Sequence, residues 1–416
     1  MTGWPELFRQ FGRIGLLSFG GPAAQIALMH RVLVDERRWL SEAEYLRALS
    51  FCMLLPGPEA MQLATYAGWK LRGIPGGLLA GLLFVLPGAA VILALAAAYA
   101  AFGDLPLVAA LFYGVKACVV VVVIEALLRV ARRALRDGFG KVLAGLSFVA
   151  LFVFGLPFPA VIMAAALAGA SRSASADSAG PIAPGSAGAM GPVLAAGLAL
   201  WFLPLVVLHL TGQTFLTQIG LFFSKLAVVT FGGAYAVLAY MAQTVVQDHG
   251  WVTTAQMMDS LGLAETTPGP LILVTEFVAF LAGMAQGGWG LAMAAAALTL
   301  WVTFVPCFLW IFAFAPHVEW IATRRRLGGA LAGVTAAVVG VIGNLAVWFA
   351  LHVFFTRVET IAAGPLRLSL PDATSLDPVA LAIAVAAGWA LLWRHWGLLP
   401  VLAGSALAGL AFGTLG

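Results

Sequence analysis

"TFGGAYAVL", residues 230–238, lies deep in an apolar stretch, and its two glycines interrupt what would otherwise be one continuous membrane helix. The N-terminal half carries nearly the same phrase, "SFGGPAAQI", at Ser18 to Ile26. Phe19 and Phe231 are 212 residues apart, and the same spacing carries Trp39 onto Trp251 and Pro56-Gly57-Pro58 onto Pro268-Gly269-Pro270. Forty positions pass in this register without a gap, and 13 are identical. Alanine and leucine matches are cheap in an apolar chain; FGG, Trp and PGP in one register are not. The chain therefore reads as a duplication. After PGP the register moves to 219, so that Pro87 meets Pro306, Gly114-Val115 meets Gly333-Val334, Lys116 meets Thr335 and Glu125 meets Asn344.

The 416 residues are 62% hydrophobic and 10% charged, with a mean hydropathy of +1.00. Soluble domains carry about 25% charged residues, so the chain reads as a polytopic membrane protein. Its apolar runs are near the ~20 residues a spanning helix needs. Lipid demands that the backbone satisfy itself, and no alternating strand pattern is present, so the expected class is all-α. The start, "MTGWPELFRQFGR", lacks the layout of a cleaved signal. The formal charge of +4 arises from basic loop clusters. These read as topology signals and not as nucleic-acid contacts. Cys52, Cys118 and Cys307 are scattered without a CxxC, and the six histidines are dispersed. Neither a metal site nor a cofactor is expected. Trp4, Trp39, Trp69, Trp251 and Trp320 fall near segment ends, as an interfacial belt does.

Each copy divides into six apolar segments. The first copy occupies residues 1–170 and the second 211–416. Between them lie a Ser/Ala/Gly/Pro-rich linker, 171–191, and one extra apolar segment, 192–210. Six crossings return the chain to its starting side; the extra one inverts the second copy. The expected architecture is thus two inverted six-segment repeats plus one linking helix, about 13 membrane segments, some broken or re-entrant. With the N-terminus in the cytoplasm, 14 loop Arg and Lys fall inside and 6 outside, which favours that orientation and a periplasmic C-terminus.

Inverted repeats point to secondary transporters, whose substrates bind where broken helices meet near the midplane. Helix N-termini there present free N–H groups and a positive dipole end to an anion. The candidate breaks are Phe19-Gly20-Gly21 and Phe231-Gly232-Gly233, with Pro56-Gly57-Pro58 and Pro268-Gly269-Pro270. The competing reading is that these glycines only let helices pack closely; the double occurrence favours a site. Arg13 and Lys225 each stand seven residues ahead of a break, where a divalent oxyanion gains from both. Both could instead snorkel to the interface. Lys116 is a third intramembrane cation, either a binding group or half of an interhelical ion pair. Ser18, Thr230, Thr266 and Thr267 offer hydroxyl donors, unless they bond their own backbone. Glu59, Glu125, Glu265 and Glu276 are candidates for proton coupling, or simply neutralise the cations.

Four stretches carry a resemblance: "IGLLSFGGPAAQIALMHRVLVDERRWLSEAEYL" from Ile14, "LLPGPEAMQLATYAGWKLRG" from Leu54, "FFSKLAVVTFGGAYAVLAYMAQ" from Phe222 and "LAETTPGPLILVTEFVAFLAG" from Leu263. Together the chain resembles the chromate transporter family, in its form with two tandem domains. Arg13, Lys225 and Lys116 in "GVKA" match the family pattern; Ala234, where the first copy has Pro22, departs from it and suggests unequal halves. The resemblance implies a bacterial inner-membrane protein that exports chromate, confers resistance to it and draws on the proton motive force. Chromate is a tetrahedral dianion like sulfate, and no residue in the sequence separates the two. An anion channel is the main alternative; a membrane-embedded reductase lacks any flavin, haem or Fe–S motif. Partners are then the oxyanion and the lipid bilayer, with a homodimer left open.

Overall fold

A computed structural model describes the chain except residues 1–2, 20, 104, 173–186, 232–233, 319–323, 364–365 and 413–416. Among the described residues the chain is an all-α polytopic membrane protein with one small addition. In the first copy the helices are α1 (Trp4–Leu16), α2 (Gly21–His30), α3 (Glu42–Cys52), α4 (Glu59–Phe102), α5 (Pro106–Ala134), α6 (Gly138–Phe152) and α7 (Phe158–Arg172). The linking segment is α8 (Ala187–Leu210). The second copy holds α9 (Thr214–Val229), α10 (Ala234–Gln243), α11 (Thr254–Thr266), α12 (Val274–Phe314), α13 (Arg325–Phe354), α14 (Pro378–Gly388) and α15 (Leu398–Phe412). The addition is an antiparallel hairpin of β1 (Val358–Ala363) and β2 (Leu366–Pro371) between α13 and α14. Nothing in the apolar periodicity announced it.

Local chemistry explains where the helices stop. Ser41 and Glu44 form a reciprocal capping box at the start of α3. Asp137 caps α6 by accepting from the Gly140 N–H, and Asp377 caps α14 by accepting from those of Val379 and Ala380. α4 has 44 residues, a rise of roughly 66 Å, about twice the ~30 Å hydrocarbon core. It folds over at Arg72 and Gly73 (φ 64°), as α12 does at Gly287 and Gly288 (φ 75°). Each is therefore two segments joined at a glycine that tolerates positive φ. Helices α6, α7 and α15 have 15 residues, a rise of roughly 22 Å, so they are short for the bilayer.

The duplication is visible in backbone detail. A π-helical turn follows α2 at Arg31–Glu36, and another follows α10 at Thr244–Asp248. The Trp39 N–H then bonds the Leu33 carbonyl at 2.8 Å, and the Trp251 N–H bonds Val245 at 2.9 Å. Arg38 (φ 52°) and Gly250 (φ 60°) make the same left-handed turn. A third register of 240 governs the last pair of helices, with Asp137 on Asp377 and Gly155 (φ 57°) on His395 (φ 53°). The β-hairpin accounts for this last shift.

The helices gather into two compact units, and each draws on both copies. The first comprises Met1–Ala97, Ala174–Val237 and Leu263–Gly328; the second Ala98–Ser173, Leu238–Gly262 and Gly329–Gly416. In the first unit α8 is anchored by two indoles: Trp201 donates to Ser224 Oγ on α9 at 3.1 Å, and Trp301 on α12 donates to the Leu200 carbonyl at 2.9 Å. Much of α8's remaining surface is exposed leucine, valine and phenylalanine, as a lipid-facing helix requires.

In the second unit, helices cross where glycine removes the side chain. A Cβ on Gly114 of α5 would lie 1.8 Å from the Ser405 carbonyl oxygen of α15, and one on Gly333 of α13 would lie 2.2 Å from that of Ala165 on α7. These two crossings are counterparts, each joining one copy's long helix to the other copy's last helix. Small residues allow such backbone contact. Gly114→Ala is expected to destabilise the protein by about 1–3 kcal/mol through overpacking, read as a lower Tm in detergent. Gly145→Ala, with nothing within 4 Å of the added Cβ, is the control and should leave Tm unchanged or higher.

Candidate functional site

The first unit holds both pairs of breaks. α1 ends at Leu16, and the chain turns before Gly21 (φ 76°) opens α2. The Phe19 N–H bonds the Leu17 carbonyl at 2.9 Å; in the second copy the Phe231 N–H bonds Val229 at 3.0 Å. Gly57 (φ 122°) and Gly269 (φ 91°) make the two PGP turns. The proline on either side stops the helix, and only glycine adopts those angles without strain. The Gly57 N–H donates to the Thr230 carbonyl at 2.8 Å, and the Gly269 N–H donates to the Ser18 carbonyl at 2.9 Å. Each copy's PGP turn is thus tied to the other copy's FGG turn. This reciprocal exchange is what a local twofold relation between the copies produces.

Two buried glutamines reinforce the exchange from one side. Gln25 Nε2 donates to the Ser18 carbonyl at 3.2 Å and to the Gly269 carbonyl at 2.7 Å, spanning both turns. Gln62 Nε2 donates to the Pro56 carbonyl at 2.7 Å. The residue in Gln25's register in the second copy is Val237, so the support is not symmetric. Pro268, Gly269 and Pro270 are buried, and Pro56 and Pro58 are partly so. Gly20, Gly232 and Gly233 lie outside the described residues.

The hydroxyls beside these turns face inward along their own helices. Ser18 Oγ donates to the Ile14 carbonyl at 2.5 Å and Thr230 Oγ1 to that of Leu226 at 2.6 Å. Thr266 and Thr267 donate to Leu263 and Ala264 at 2.8 and 3.0 Å. Each proton is engaged with the backbone, so donation to a ligand requires the hydroxyl to rotate.

The charged candidates are distributed differently. Arg13 sits on α1 with its side chain 49% exposed, 3.2 Å from Glu36. Lys225 occupies the matching position on α9 and is also exposed. Phe19 is exposed and Phe231 partly buried. Glu59 opens α4 and is partly buried. Glu276, in the first turn of α12, is buried, and its Oε2 has no hydrogen-bond partner among the described residues. The side chain of Glu265 lies outside what the structure describes.

Glu125 pairs with Arg129 one turn on, in the second unit. Lys116 is paired there as well. Its Nζ lies 3.2 Å from Oδ1 of Asp259 on α11, while the Tyr99 hydroxyl donates to Asp259 Oδ2 at 2.7 Å. The interhelical ion pair foreseen as one alternative for Lys116 is present; its partner was not foreseen. Asp259 could have been found as the one acidic residue in "TTAQMMDSLGLA", residues 253–264. Gln25 and Gln62 carried no comparable signal. No cluster of His, Cys, Asp and Glu fit to hold a metal occurs among the described residues.

The family model described as chromate transporter matches this chain twice, over residues 5–170 and 217–410. The chain belongs to the chromate transporter family. The two matches bracket both sets of FGG and PGP turns and omit α8. A chromate transport protein from Pseudomonas aeruginosa is 35% identical over 369 residues, covering 87% of this chain and 84% of that one. A probable chromate transport protein from Synechococcus elongatus is 31% identical over 404 residues, covering 92% and 94%. A chromate transport protein from Cupriavidus metallidurans is 30% identical over 359 residues, covering 81% and 80%. No solved structure matches. Membership makes this chain a transport protein and not an enzyme.

Proposed function

We propose that this protein exports chromate across the bacterial inner membrane by alternating access, driven by the proton motive force. Two inverted copies, related through the linking helix α8, alternate the exposure of the bound oxyanion between the two sides of the membrane. The observation that supports this best is the reciprocal bonding of Gly57 to Thr230 and Gly269 to Ser18. It brings two pairs of helix breaks together, and breaks expose the N–H groups that an oxyanion needs. Arg13 and Lys225, matched on α1 and α9, supply the positive charge, and Glu59, Glu265 and Glu276 are the proton-carrying candidates on the elements flanking the PGP turns. The N-terminus faces the cytoplasm.

Relatives named as chromate transport proteins support chromate over other tetrahedral dianions; size and charge do not separate it from sulfate. The test is chromate uptake into inside-out vesicles, with sulfate as competitor, with and without a pH gradient. Accumulation above the electrochemical equilibrium, lost when the gradient is collapsed, is expected. Flux that only ever runs downhill would identify a channel instead.

A further inference from the structure

The second unit contains a polar group that the duplication does not explain. Asp259 stands in the register of Arg47, and Lys116 in that of Thr335, so the pair exists in one half of the repeat only. It is built by close packing. A Cβ on Gly262 would lie 2.6 Å from Val115, so α11 approaches α5 closely one turn from Asp259, beside Lys116. The Asp259 side chain is 4% exposed and that of Lys116 22%. Lys116 is thus partly exposed while its counter-ion is buried. The two carboxylate oxygens are held unequally. Oδ2 accepts the Tyr99 hydroxyl at 2.7 Å. Oδ1 lies 3.2 Å from the ammonium but accepts no hydrogen bond among the described residues. Lys116 stands at ion-pair distance from Oδ1, and the Tyr99 hydroxyl holds the other oxygen of the carboxylate. The charged and titratable groups that meet Asp259, among the described residues, are Lys116 from α5 and Tyr99 from α4.

We propose that Asp259 is the resident counter-ion of Lys116, which the transported oxyanion displaces, and that Asp259 takes up a proton as it is displaced. Removing one partner of an ion pair leaves a buried carboxylate such as Asp259 without compensation. Protonation removes its charge. The exchange balances: the ammonium leaves Asp259 for the oxyanion, and one proton from the aqueous phase binds Oδ1, the oxygen without a hydrogen bond. Tyr99 donates to Oδ2 before and after, so the side chain need not move far. Anion and proton then bind together at this site. The sign follows from linkage: raising the pH removes the proton that binding requires, so anion affinity falls with pH, approaching about tenfold per pH unit. This inference rests on the oxyanion-transport reading above and adds to it a residue pair and a proton count.

The test is chromate binding to the purified full chain by calorimetry, in buffers of different ionisation enthalpy. Wild type is expected to take up about one proton per anion bound. Asp259→Asn should still bind chromate, taking up about one proton fewer per anion than wild type and with a correspondingly shallower pH dependence. Lys116→Ala should lose binding. The double variant Lys116→Ala/Asp259→Asn removes both charges and should fold, yet neither bind nor transport. Wild-type transport by that double variant would mean the pair only holds α5 to α11 and would overturn the proposal. So would chromate binding by wild type without proton uptake, a measurement that needs no variant to fold. If wild type neither binds nor moves chromate or sulfate, the transport reading itself fails, and that outcome is distinct from binding without proton uptake.

Discussion

Gly57→Ala is expected to abolish chromate transport and to lower Tm markedly. Gly57 has φ 122°, a region that costs a residue with a side chain about 1–3 kcal/mol. Its added Cβ would lie 2.7 Å from Cys307 Sγ and 2.9 Å from Gln62 Nε2. Such overpacking costs about another 1–3 kcal/mol. The residue's N–H also makes the 2.8 Å bond to Thr230, so any backbone shift that relieves the clash pulls apart one of the two reciprocal ties. Gly269→Ala tests the same turn in the other copy with less steric cost, because its nearest contact would be Leu273 Cδ1 at 3.1 Å. The smaller Tm loss should be at Gly269. Cys307→Ala in the Gly57→Ala background removes the sulfur contact and leaves the Gln62 contact and the backbone strain. Partial recovery of Tm is expected, and full recovery would show that φ at this turn matters little.

Lys225→Ala is expected to lower chromate transport by roughly 10- to 150-fold at low substrate, with the protein still present in the membrane. A hydrogen bond to a charged group contributes about 1.5–3 kcal/mol, and each 1.4 kcal/mol is about a tenfold change in affinity. Lys225 is exposed on α9 and fills no core space, so protein abundance in the membrane is measured beside transport to separate the two effects. Arg13→Ala should behave alike, since Arg13 holds the matching place on α1. Breaking its exposed pair with Glu36 costs only about 0–1 kcal/mol. Initial rates in inside-out vesicles, normalised to protein, measure both. Unimpaired transport by Lys225→Ala would remove that residue from the site, and a loss in only one of the two variants would make the site asymmetric.

The breaks were legible because they are local. Glycine and proline set the backbone wherever they stand, so FGG and PGP announced interrupted helices, and their recurrence announced the duplication. α4 and α12 each fold over at a glycine, Gly73 and Gly288, where positive φ is again a local property. Beyond these, the register itself carried information: Asp137 and Asp377 cap equivalent helices, 240 residues apart. Hydroxyl roles were not decided by sequence, since Ser18 or Thr230 can serve a ligand or its own helix with the same spacing.

What the sequence by itself determined is the class of the protein, its two copies and the four points where helices stop. Only the tertiary structure decided that the copies interleave within each compact unit, that Gln25 reaches a carbonyl 244 residues away, and that Lys116 meets Asp259 and not Glu125. The reason is physical. A glycine's φ or a proline's missing N–H acts on immediate neighbours. The partner of a buried amide or ammonium depends on which helices cross and at which turn, and close crossings such as Gly262 against Val115 arise only when distant segments pack.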